Sequence, residues 1–140
     1  MPYKIGRALA YAVLLWLIGF VWGSIIFMTP AFKNTPTIPY ISRNPAISFP
    51  ILFIWLVLTY LFAKVYLKTA QDKSAEGLKL GLVFGGVNFV LDLLVLVLLL
   101  GTGFSYFASV TVWLAYYILV FIPWMTGRSL QRKLDRNVEV

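Results

Sequence analysis

Asp92 is the side chain in this 140-residue chain with the clearest capacity for chemistry. It is the one acid deep inside an apolar run; Asp72, Glu76, Asp135 and Glu139 stand near turns or in the tail. A charged group in hydrocarbon is costly, so an intramembrane acid normally faces protein or a water-filled cavity and points to function. Such a carboxyl can hold a proton or a small cation and release it again. Asn88 lies one helical turn away and would orient whatever Asp92 holds. Trp55, Thr111, Trp113 and Tyr116 fall at a similar depth on neighbouring runs, and aromatic faces attract cations. These six residues are the candidate substrate- or ion-binding set. A structural role competes with it: Asp92 could hydrogen-bond Asn88, Thr111 or a carbonyl and simply pin helices together.

The residues around this pair are small. Gly77, Gly81, Gly85, Asn88 and Asp92 fall within an arc of about 80° on one helix. A stripe of this kind lets another backbone approach closely. The first run repeats the spacing in Ala8, Ala12, Trp16, Gly19 and Gly23. Both runs cross in the same direction, so Gly19 and Gly23 are expected near the depth of Asn88 and Asp92. The two stripes are expected to meet, within one chain or between two copies.

Four apolar runs must carry these residues, at 5–28, 48–68, 75–100 and 105–126. Each reaches the span of about 20 residues that crosses a bilayer. With 61% hydrophobic and 12% charged residues, and a mean hydropathy of +0.86, the chain carries more apolar surface than a soluble domain of its size can bury. The expected fold is all-α: a polytopic membrane protein, four transmembrane helices in two antiparallel hairpins, forming one domain over 1–140. The first run is too long for a signal-peptide core and reads as a retained helix. Pro30, Pro36, Pro39 and Pro45 stiffen the connection between the first two runs, as an extended spacer or a strap carrying Phe32 and Tyr40. Pro123 should kink the fourth helix.

Charge sets the expected orientation. Lys4, Arg7, Lys64, Lys68, Lys73, Lys79, Arg128, Arg132, Lys133 and Arg136 fall on one side of a four-pass path; Lys33 and Arg43 fall on the other. Basic loops stay cytoplasmic, which places both termini inside the cell membrane. The net charge of +7 is therefore a topology signal, with anionic lipid headgroups as its partner and no nucleic acid. Tyr3, Tyr66 and Trp124 on the inside, and Phe49, Phe104, Tyr106 and Phe107 outside, suit interfacial belts.

Cysteine and histidine are both absent. No disulfide, thiolate or imidazole chemistry is available, and neither a cofactor nor a metal is expected. Acid–base catalysis usually needs a second positioned group beside the acid; the chain offers no histidine or paired carboxylate, so it is not expected to be an enzyme.

The segment Leu82-Val83-Phe84-Gly85-Gly86-Val87-Asn88-Phe89-Val90-Leu91-Asp92-Leu93 resembles the first helix of GtrA-like proteins, small four-helix membrane proteins implicated in handling polyprenyl-linked sugars. The resemblance implies lipid-linked sugar translocation, with Gly85, Asn88 and Asp92 as the matching positions. Here the segment lies in the third run, not the first. The small multidrug exporters offer an architectural analogy only, four short helices with one membrane acid, and their acid lies in the first helix.

These readings converge on a small membrane transporter or proton- or ion-coupled carrier centred on Asp92. A homo-oligomer suits it, because four helices enclose little space. The alternative is a non-catalytic accessory or scaffold subunit that binds a membrane-protein partner through its glycine faces.

Overall fold

The computed structural model describes residues 4–28, 45–101 and 103–139. It is 90% helical, with no strand among the described residues. Helix α1 covers Ile5–Met28, α2 Pro45–Leu67, α3 Lys73–Leu91 and α4 Val110–Val138. A π-helical segment, Asp92–Leu99, continues α3, and a 3-10 turn, Phe104–Ala108, precedes α4. Four helical stretches are long and apolar enough to cross a membrane: Ile5–Ile25, Phe49–Leu67, Lys73–Leu99 and Val110–Val138. The connection carrying Lys33, Arg43, Phe32 and Tyr40 lies outside the described residues, as do Tyr3 and Thr102.

The helix limits follow from local chemistry. Helix α2 begins at Pro45, a turn before the expected start; proline suits a first helical position because no intrahelical bond needs its N–H. Asp72 caps α3, its Oδ1 accepting from the Ala75 amide at 3.0 Å. Gly101 and Gly103 have φ of +66° and +75°, a region that side chains with a Cβ rarely adopt, and they end the third span. Ser109 is extended, so α4 starts at Val110, later than expected. It also runs well past position 126. Arg128, Leu130, Gln131, Arg132, Lys133, Leu134 and Arg136 beyond it are good helix formers, and Gln131 donates to Asp135 one turn on at 3.0 Å. Loss of apolar character there marks where hydrocarbon ends, not where the helix does.

The α3–α4 contact is made by glycine. A methyl group added at Gly77 would lie 2.6 Å from the Pro123 carbonyl oxygen, and at Gly81 closer still to that of Val120. Gly127 meets the Lys73 carbonyl in the same way. The glycine part of the α3 stripe therefore faces α4, whereas α1 was expected. Only its outer part meets α1: Asn88 Nδ2 donates to the Ala12 carbonyl at 3.4 Å, and Trp16 reaches Asp92. Helix α2 covers another side of α1. Tyr11 stacks on Phe62 at 5.5 Å between ring centroids, and the Trp55 indole fills the space left by Gly19. Gly23 has nothing within 4 Å of where a Cβ would lie. The core between the helices is closed by Ala8, Ala12, Leu15, Leu67, Leu80, Phe84 and Leu119, all fully buried.

Candidate functional site

Asp92 stands where α3 gives way to the π segment, and it is only 5% exposed. Three donors converge on it. Trp16 Nε1, from α1, donates to Oδ1 at 2.8 Å. Tyr116, from α4, donates its phenol proton to Oδ2 at 2.5 Å. Tyr106, from the 3-10 turn, donates to the same oxygen at 3.4 Å. One carboxylate thus joins three elements to its own helix, and all three partners are neutral. No basic side chain touches it among the described residues. Lys64 sits over the Tyr60 ring at 5.9 Å.

Asn88 shares the Asp92 face one turn earlier and is fully buried. Its Nδ2 donates to the Phe84 carbonyl at 2.8 Å as well as to Ala12, which binds it to backbone and not to Asp92. Its Oδ1 has no partner in the protein. Buried polar atoms are rarely left this way, and each exception calls for an explanation. The Trp55 Nε1 and the Thr59 hydroxyl are also buried and unpartnered.

The remaining expected residues scatter. Tyr116 is in the cluster. Trp113 is 52% exposed, and its indole N–H donates to the Phe107 carbonyl at 2.6 Å; it touches the cluster through an edge-on contact with Tyr116, 5.7 Å between ring centroids. Thr111 is half-buried and does not bond to Asp92. Trp55 packs against Gly19. Gly77, Gly81 and Gly85 serve the α4 contact, with Gly85 opposite the Val120 side chain.

Two residues on Asp92 were not among the expected set. Trp16 carries a sequence signal, since it lies in the α1 stripe four residues after Ala12. Tyr106 carries none: position beside a span end suggests an interfacial belt, yet the 3-10 turn folds its ring inward, leaving it 9% exposed. Phe107 follows it, packing on Phe89 at 5.2 Å; Phe49 and Phe104 are exposed at 67% and 70%, whereas Tyr66, expected in the inner belt, turns into the core at 3%.

Among the described residues, no group of three His, Cys, Asp or Glu could hold a metal. The site is instead one acid in a shell of hydroxyl, indole and amide groups. No family profile, curated protein or solved structure matches the chain, so the local likeness of residues 82–93 to a GtrA-like helix assigns no family.

Proposed function

We propose that this is a multi-pass protein of the cell membrane that carries a proton or a small cation on Asp92. Its spans form two antiparallel hairpins with both termini cytoplasmic, the orientation favoured by ten of its twelve basic residues. The observation that supports carriage is a buried carboxylate held only by neutral donors. A charge in a low-dielectric interior needs compensation; no fixed lysine or arginine supplies it here, so a mobile cation must.

The donors divide the work. An indole N–H can only donate, so Trp16 keeps Oδ1 an acceptor in every state. Phenols both donate and accept. When Oδ2 takes a proton, Tyr116 and Tyr106 can turn from donors to acceptors without leaving the carboxyl. Oδ2 is therefore the oxygen that exchanges. The phenols and the indole beside Asp92 are all committed to hydrogen bonds with it, and we assign the protein no enzymatic role.

The test is flux in proteoliposomes. A proton or cation current should appear with the wild-type protein and vanish in Asp92→Asn; a current unchanged by that substitution refutes the carrier. A second reading has its own support. An apolar groove of about 350 Å³ lies between α1 and α2, lined by Leu17, Val21, Trp22, Ile54 and Leu58 among others, and it suits a helix of a larger membrane complex. Copurification of a stable partner in mild detergent, with no intrinsic flux, favours that accessory role.

A further inference from the structure

Hydrogen bonds and ring contacts fix how the helices line up. Ala12 meets Asn88 and Trp16 meets Asp92; Gly19 meets Trp55 and Tyr11 meets Phe62. Counting between the last two pairs sets Thr59 opposite Leu15, in the layer bounded by Asn88 and Asp92. Thr59, Leu15 and Asn88 are all fully buried. One layer of the interior therefore holds a carboxylate, an amide oxygen with no partner and a hydroxyl with no partner.

Their chemistry is one-sided. The Asn88 amide has spent its N–H₂ on two carbonyls, leaving its oxygen free. An ionised carboxylate offers about four acceptor positions; Trp16, Tyr106 and Tyr116 take three. Three hard oxygen groups with spare lone pairs in one dry layer match a hard cation. A divalent ion would leave uncompensated charge beside a single acid, and calcium sites ordinarily gather six to eight oxygens with several carboxylates. One acid balances one positive charge.

We infer that Asp92, Asn88 Oδ1 and the Thr59 hydroxyl form a binding site for a small alkali cation. The inference rests on the reading of Asp92 as a cation carrier and narrows it, since it names sodium-type ions over bare protons and adds two ligands. Asp92 supplies the charge; Asn88 and Thr59 replace part of the ion's hydration shell.

The test uses the purified full-length protein in detergent, with sodium chloride titrated against choline chloride at constant ionic strength. Thermal unfolding of the wild type should shift upward with sodium and saturate. Asp92→Asn should show no shift. Thr59→Val removes one ligand and an unpartnered hydroxyl together, so it should fold at least as well in choline and need about tenfold more sodium. Thr59→Ser, which keeps the oxygen, should restore the wild-type response. A wild-type Tm indifferent to sodium, or a Thr59→Val response equal to wild type, overturns the site. Sodium-indifferent protein that still carries an Asp92-dependent proton current overturns the site alone and leaves the carrier standing. Sodium-stabilised protein without any current upholds the site and removes the carrier.

Discussion

At Asp92 the three donors are unequal, and single substitutions should rank them. Tyr116 makes the short bond from α4; Tyr116→Phe leaves a buried carboxylate under-bonded and should lower stability by about 1–3 kcal/mol. Tyr106 lies at the edge of bonding distance, so Tyr106→Phe should cost less. Trp113→Phe should leave Asp92-dependent current unchanged, because that indole faces outward and bonds a loop carbonyl. Thermal unfolding in detergent and proteoliposome current check all three; a larger loss in Trp113→Phe than in Tyr116→Phe would show that the donors are misassigned. The sequence made Asp92 conspicuous because a lone acid in a leucine-rich run has few other readings. Tyr116 was legible from depth alone. Trp113 has the same depth but the wrong face, and a depth argument does not resolve rotation about an axis. Thr59 was legible by depth as well, one turn from Trp55 on the second run, but depth does not show that its hydroxyl is buried without a partner.

Between helices, packing depends on what side chains omit and on one that reaches back. Lys73, the first residue of α3, folds its ammonium onto the end of α2 and donates to the carbonyls of Leu67 and Ala70, each at 2.8 Å, and of Lys68 at 3.3 Å. The last carbonyls of a helix lack intrahelical partners and carry partial negative charge. Lys73 thus closes α2 and sets the tight turn to α3. Lys73→Met should cost about 1.5–3 kcal/mol, the range for hydrogen bonds to charged groups, read as a lowered Tm in detergent. Gly81→Val should destabilise through overpacking, by about 1–3 kcal/mol or more, because its neighbour is the rigid Val120 backbone; a Tm equal to wild type would contradict the close α3–α4 approach. Charge counting saw Lys73 only as a topology marker, and composition has no means of showing that a lysine turns inward. Span positions were legible because hydrocarbon thickness and apolar run length are the same measurement. The end of α4 was not, since its final turns leave lipid while keeping helical propensity.

For the whole molecule, charge sets the direction of insertion. All ten of the clustered basic residues belong to the termini, the span ends beside them and the α2–α3 turn. Because the chain has no cysteine, single thiols can be introduced without background. Val138→Cys and Phe104→Cys both replace exposed residues. In intact cells, a membrane-impermeant thiol reagent should label position 104 and spare position 138; the reverse pattern would invert the topology. Among the described residues, the four helices close on one another around Thr59, Asn88 and Asp92, so an assembly of copies would fit a carrier, and crosslinking in native membranes reports whether copies pair. Whole-molecule class was plain from hydropathy. The partnership of faces was not: glycine stripes on α1 and α3 advertise closeness without saying to whom, and α4, with its single useful glycine at Gly127, was the recipient.

The wide winding from Asp92 to Leu99 has a mechanical consequence. Each of its loose turns stores more chain than an ordinary turn spans, so that half of the third crossing has slack to give. Deleting Leu94 should be absorbed by tightening toward an ordinary helix, while everything before Asp92 keeps its pitch and the carboxyl keeps Trp16 and Tyr116. Deleting Val83 offers no such reserve: it would swing the acid about a quarter-turn off its partners and abolish the current.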